Sequence, residues 1–181
     1  LKHYYTSVEG WFEYGPLYRE AVLRYNNARF VEVGCWKGRS TSFMGVEILN
    51  SGKDIKLDVV DTFQGSTEHG TVDSTALKAE FLRNVDPVKS VIGYVHEMTS
   101  VEASRLYEPN SLDFVFIDAS HDYWNVAQDI VHWYPRIRNG GMIGGDDFEP
   151  AWPGVVQAVE EIFGKDRVAV YGKRHWGITK G

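Results

Sequence analysis

Cysteine is nearly absent. Cys35 stands alone among 181 residues, so no disulfide can close within the chain and a reducing compartment is the default. Long apolar runs are missing as well. None approaches the length of a membrane span, and the opening LKHYYTSVEG lacks the apolar core of a secretory signal, so the reading is a soluble, cytoplasmic protein with no membrane partner. Basic residues do not predominate: 19 Lys and Arg against 25 Asp and Glu leave a net charge of −6, which argues against a nucleic-acid partner and favours small neutral or cationic substrates. No repeat, low-complexity tract or linker divides the chain. Residues 1–181 read as one domain, long enough for a sheet covered on both faces. The first residue is Leu1 rather than methionine, which suggests trimming or a fragment.

What is present is one organising stretch, RFVEVGCWKGRS, residues 29–40. A β-favouring run over residues 30–33, broken only by Glu32, reaches Gly34, and Gly38 opens an amphipathic helix. Strand, glycine turn and helix N-terminus together offer free backbone N–H groups to a charged or hydroxyl-rich ligand. The spacing is E-x-G-x-x-x-G, and Trp36 stands where a dinucleotide fingerprint has its middle glycine. A pyrophosphate needs that glycine for close approach, so a nicotinamide oxidoreductase is disfavoured. Glu32 either accepts from an ammonium group or holds the loop by hydrogen bonds. Cys35, inside the turn, reads as a buried thiol rather than a nucleophile.

Strands and helices alternate along the chain. Residues 1–14 form an aromatic arm, a lid or a surface strap, and residues 16–25 a short helix opened by Pro16; residues 1–28 together make the N-terminal arm and helix. Past the glycine turn a helix ends at Gly52, and a second strand, residues 57–60, runs into Asp61. Residues 62–74 are a polar loop able to cover a site, followed by a helix over 76–85 and a strand over 91–95. Thr99 and Glu102 have the spacing of a capping box. A fourth strand, 112–117, ends in Asp118; a helix is expected over 123–137, closed by Gly140-Gly141; a fifth strand, 142–145, ends in Asp146-Asp147. A helix over 154–163 and strands over 167–171 and 176–179 complete the chain. The pattern predicts an open α/β sheet, mostly parallel, with a late antiparallel hairpin.

Asp61, Asp118, Asp146 and Asp147 each follow a predicted strand, which in a parallel sheet puts them on one edge beside the glycine turn. Asp61 falls where a ribose diol meets a carboxylate in nucleoside-binding folds. The ordinary alternative is that each aspartate caps the following helix. Asp118, Asp146 and Asp147 offer oxygen ligands for Mg2+ or another divalent cation, which would relieve the repulsion within an adjacent acid pair. His121, three residues after Asp118, is placed to take a proton from a hydroxyl.

With these residues in view the chain resembles the class I S-adenosylmethionine-dependent methyltransferases, and its second half is similar to the macrocin-type sugar O-methyltransferases. The motifs FVEVGCWKGRST, VVDTF, SLDFVFIDASHDY and RNGGMIGGDDF carry the likeness across residues 30–148. The resemblance implies a Rossmann-like open sheet of seven strands, mostly parallel with an antiparallel last strand, and helices on both faces. It implies that Glu32, Gly34, Cys35, Gly38 and Ser40 cradle S-adenosylmethionine, that Asp61 holds the ribose, and that Thr62 and Phe63 flank the adenine. Met98, Thr99 and Ser100 border the base on its other side, and Asp118 faces the methionine end. Magnesium is implied on Asp118, Asp146 and Asp147, with His121 as base where catechol-type relatives carry lysine. Relatives complete the acceptor pocket with longer N-terminal helices or inserted loops; here only the aromatic arm and residues 62–74 are available. The expected reaction is methyl transfer to a hydroxylated small molecule, a sugar or catechol-like diol. The alternatives are a metal-independent methyltransferase using His121, or a non-catalytic nucleoside-binding protein. Six tryptophans and ten tyrosines leave room for a homo-oligomer without locating its surface.

Overall fold

The computed structural model describes residues 1–65 and 72–181. Five strands are mutually parallel: β1 (Ala28–Val33), β2 (Ile55–Asp61), β3 (Ile92–Glu97), β4 (Leu112–Ile117) and β5 (Ile137–Gly145). The last strand, β7 (His175–Thr179), runs antiparallel to both β5 and β6 (Ala169–Tyr171). The spatial order is β3-β2-β1-β4-β5-β7-β6, a seven-stranded Rossmann-like sheet.

Period-two alternation divides the core between two faces. Phe30 and Phe114 point toward α1 (Gly15–Arg24), α2 (Arg39–Ser51) and α3 (Ser74–Val85), where they join Tyr18, Phe43 and Phe81. Val31 and Val115 point the other way, to α4 (Ser100–Ser104), α5 (Tyr123–Trp133) and α6 (Pro153–Phe163), joining Ala103, Ile130 and Val159. Because both faces are covered, the central strands are apolar along nearly their whole length rather than alternating.

Register brings the strand ends level. Val33 pairs with Val60 and with Ile117, and Ile117 pairs with Gly145, so β1, β2, β4 and β5 end at one height. Backbone bonds extend past the ends: Gly34 N donates to Val60 O at 2.9 Å, Asp118 N to Val33 O at 2.8 Å and Asp146 N to Ile117 O at 3.2 Å. Gly34, Asp61, Asp118 and Asp146 therefore sit side by side on one rim.

Several boundaries differ from the sequence expectation. α5 stops at Trp133, because Pro135 cannot continue the ladder and a 3-10 turn, Tyr134–Arg136, takes its place. Gly140 and Gly141 do not close a helix. They lie inside β5, which starts at Ile137, and absorb a register shift in which Leu112 pairs with Ile137 but Phe114 with Met142. β6 is only three residues, since Lys165–Arg167 forms a 3-10 turn. Of the covering loop expected at 62–74, residues 66–71 lie outside the described residues; α3 begins at Ser74, capped by the Asp73 carboxylate, which accepts from Ala76 N.

The N-terminal arm packs over α2. His3 stacks on Phe43 at 4.5 Å, Phe12 lies 4.6 Å from the same ring, and Arg39 Nη1 donates to Val8 O and Gly10 O at 3.1 and 2.9 Å. That anchorage carries Glu9, Gly10 and Trp11 to the edge of a cavity above the rim. No described helix is long and apolar enough to cross a membrane.

Candidate active site

The cavity above the rim has a volume of about 430 Å³. The turn after β1 lies between residues from β2 and the end of β3 on one side and residues from β4 and β5 on the other.

The turn is shaped by crowding. A Cβ at Gly34, φ 84°, would sit 1.9 Å from the Asp118 carbonyl oxygen, so only glycine lets the first and fourth strands' loops touch. Gly38, φ 87°, starts α2, and a Cβ there would press on Phe81 and Val85 at 3.0 Å. Between them Trp36 adopts φ 47°, a left-handed conformation rare for an aromatic residue. Phe63 after β2 and Asp147 after β5 also have positive φ, at 54° and 62°. Such backbone strain clusters where the surrounding structure holds a working site.

Asp61 fastens the turn. Its Oδ2 accepts from Cys35 N and Trp36 N, both at 2.9 Å, and Oδ1 accepts from Phe63 N at 2.8 Å. Gly34, Cys35, Ser40, Asp61, Thr62, Met98 and Ser100 all line the cavity. Cys35 is buried, and burial beside Asp61 pushes its thiol well up, which fits a packing role better than a nucleophile.

Four other residues expected at the cofactor do not reach the cavity. Glu32 is buried beneath the turn, where Oε1 accepts from Tyr18 Oη at 2.7 Å and Oε2 from Thr41 Oγ1. Its bonds tie β1 to α1 and to the first turn of α2; burial raises its pKa while the Ser40 and Thr41 hydroxyls offset part of that rise. Gly38 turns inward onto Phe81. Phe63 is fully buried and packs 5.4 Å from Phe81, because its left-handed backbone directs the ring into the core. Thr99 is spent on the capping box with Glu102.

On the other side, Asp118 is squeezed. Burial and then the charges of Asp146 and Asp147 push its pKa up to about 7, against the pull of a hydrogen bond from Tyr14 and of His121. His121 Nε2 is 2.8 Å from Asp147 Oδ2, and its ring stacks on Trp152 at 4.1 Å. One donor atom each from Asp118, His121 and Asp147 lies within 4.8 Å of the others. Two crowded carboxylates and an imidazole are a chemically suitable donor set for a divalent cation, and a cation there would ease the crowding that raises Asp118.

This set differs by one from the expected ligands. Asp146 is buried and occupied: Oδ1 accepts from Asp147 N and pairs with His175 Nδ1, both at 2.7 Å, and Oδ2 lies 3.3 Å from Arg174. Neither aspartate of the pair is a helix cap facing solvent.

Sequence reasoning missed Tyr14, Arg174 and His175. Tyr14 Oη donates to Asp118 Oδ2 at 2.9 Å across 104 residues of chain. Arg174 lies within 4.0 Å of Asp146, Asp147, Glu149 and Glu13. Neither Arg174 nor His175 has a local motif; they reach the rim because β7 reverses direction and Trp176 pairs with Gly145.

Comparison with known proteins agrees with this layout. A family profile described as a methyltransferase domain matches residues 31–148. Among solved structures, the O-methyltransferase NovP superposes with TM-score 0.67 at 18% identity, covering 92% of this chain and 78% of its own. CalS11, described as a TDP-rhamnose 3′-O-methyltransferase, gives 0.66 at 17%, covering 92% and 77%. MycE, a methyltransferase of the mycinamycin pathway described in complex with Mg and SAH, gives 0.62 at 18%, covering 96% and 51%. The chain spans 16% and 25% of the lengths of the curated relatives it matches, at 23% and 39% identity over 81% and 30% of this chain.

Proposed function

We propose, because this chain belongs to the methyltransferase-domain family, that it transfers a methyl group from S-adenosylmethionine to a hydroxyl oxygen of a small acceptor with a divalent cation's help. One observation carries the reading: a single register-aligned rim gathers the Gly34 turn, Asp61 and the Asp118–His121–Asp147 cluster around one cavity. The cavity's volume lies in the range of sites that bury drug-sized ligands, about 300–1,000 Å³.

When bound, the cofactor supplies an electrophilic methyl group and the cation lowers the acceptor hydroxyl's pKa. The chain's own residues do the rest. Asp61, fixed by three backbone N–H groups, is oriented to receive a ribose diol. Ser100 and Met98 border the base. Asp118 and Asp147 would supply the anionic donors to the cation, with His121 left off it and free to act as a base. His121, held flat against Trp152, takes up the acceptor's proton, and Asp147 stabilises the imidazolium formed. Trp11 and Trp152 line the cavity and would give a sugar or catechol ring aromatic surface to pack on. The cavity walls would supply the remaining acceleration by holding the acceptor in one orientation.

Calorimetry with S-adenosylmethionine and S-adenosylhomocysteine, each with and without Mg2+, tests the binding half of this reading. A screen of hydroxylated small molecules with a labelled methyl donor tests the other half. Failure of both cofactor forms to bind ends the reading.

One observation favours a second version. Arg174 already lies 3.3 and 3.5 Å from Asp146 and Asp147, and so partly neutralises the acid pair without a metal. In that version His121 acts alone as base, and a chelator leaves turnover unchanged.

A further inference from the structure

Asp118 is held from two sides. Its backbone is fixed by the bond from its N to Val33 O at 2.8 Å and by the packing of its carbonyl against Gly34. Its side chain is fixed from elsewhere in the chain, by the Tyr14 hydroxyl at 2.9 Å on Oδ2. Tyr14 has no room to swing away. It is 2% exposed, with ring centroids of Phe116 at 4.3 Å, Phe12 at 4.8 Å and Tyr18 at 5.0 Å.

A carboxylate that is free at both oxygens can ligate through one or two of them. Ca2+ takes six to eight oxygens and accepts two-oxygen chelation, whereas Mg2+ demands an octahedron and takes one oxygen from each carboxylate. A hydroxyl already bonded to Oδ2 fixes the carboxylate's rotation and leaves Oδ1 as the unencumbered ligand. We propose that Tyr14 is a positioning residue for Asp118: by holding one oxygen it makes Asp118 a one-oxygen ligand and so biases the site toward Mg2+ over Ca2+. The inference rests on the metal-assisted version of the proposed function and adds to it a residue that tunes the preference between ions. It also gives the N-terminal arm a second task, since Tyr14 directly follows the segment whose Glu9, Gly10 and Trp11 line the mouth.

The test is calorimetric titration of the whole protein with Mg2+ and separately with Ca2+, wild type against Tyr14→Phe, with S-adenosylhomocysteine as a control ligand. The substitution removes one oxygen and keeps the ring. Tyr14→Phe is expected to bind Mg2+ roughly tenfold more weakly, the usual scale for losing an outer-shell partner of a metal ligand. Ca2+ affinity falls less or rises, so the preference for Mg2+ narrows, while S-adenosylhomocysteine affinity stays within about twofold. A merely structural role moves both ions together or neither, and either result overturns the inference. The wild type gives a reading of its own if the variant does not fold: a site that prefers Ca2+ overturns the inference without any substitution. Binding of S-adenosylhomocysteine with no binding of either cation removes the metal from the proposed reaction, and this inference falls with it, leaving the cofactor reading in place.

Discussion

Asp61 Oδ2 lies 2.9 Å from the backbone nitrogen of Trp36, and Trp36 is held at φ 47°. A second bond, from Cys35 N to the same oxygen, makes one carboxylate the clasp of the whole turn. The residue proposed to hold the ribose thus also keeps the turn in shape.

Replacing Asp61 by alanine leaves those N–H groups without their acceptor, at a cost of about 1–3 kcal/mol if one stays unsatisfied. Asp61→Ala is expected to melt several degrees lower and to bind S-adenosylhomocysteine at least tenfold more weakly. Differential scanning fluorimetry and calorimetry read the two effects separately, and unchanged affinity would remove Asp61 from the cofactor.

Gly34→Ala makes the shortest Cβ contact of any described glycine, 1.9 Å. Its Cβ would overlap the Asp118 carbonyl, a backbone atom that cannot step aside. A loss of several kcal/mol follows, because a left-handed backbone and a clash act together. Urea unfolding of Gly34→Ala that matched the wild type would mean that β1 and β4 do not meet as described.

The acid pair and the histidine separate chemistry from binding. The double change Asp146→Asn, Asp147→Asn is expected to abolish measurable turnover while S-adenosylhomocysteine affinity is mostly kept. His121→Asn should lower kcat by about 10²–10⁴, the scale of a lost general base, with little effect on cofactor affinity. Steady-state rates beside calorimetry decide; a fully active double variant would support the metal-independent reading, and a wild type that binds cofactor without turning over any acceptor would support the non-catalytic one.

Asp129 gives a prediction about pH. It is buried in α5, and burial pushes its pKa up to about 6 although the Ser100 hydroxyl pulls the other way. The folded protein holds this proton more tightly than the unfolded chain does. The stabilisation is full below the unfolded value near 4 and is lost as pH rises through about 6, a swing of about 3 kcal/mol. Asp118 and Glu32 are raised too and slope the same way, so the difference between variant and wild type isolates Asp129. Asp129→Asn should flatten the stability curve between about pH 4 and pH 7 by that amount; parallel curves would show that the buried carboxyl is not the cause.

Much of the site could be read from local patterns because its parts are punctuation. Gly34, Asp61, Asp118 and Asp146 follow directly on apolar runs, and in a parallel sheet such positions share an edge. Phe63 illustrates the limit: the resemblance implied that it flanks the adenine, but a positive φ turns the ring into the core. Gly140-Gly141 read as a helix stop and proved to be a shift within a strand, since glycine serves both uses equally well. Asp146 and Asp147 are indistinguishable in sequence; only the return of β7 gives the first to His175, sets Arg174 against both, and leaves the second facing His121.

By itself the sequence determined the alternation of strands and helices and the glycine turn, because these depend on hydrophobic period and on residues a few positions apart, and its motifs carried the family resemblance. The tertiary structure alone decided which acids meet. Tyr14 reaches Asp118 and Arg174 reaches Asp146 through packing between distant segments, and no local rule of spacing encodes a distance across the fold.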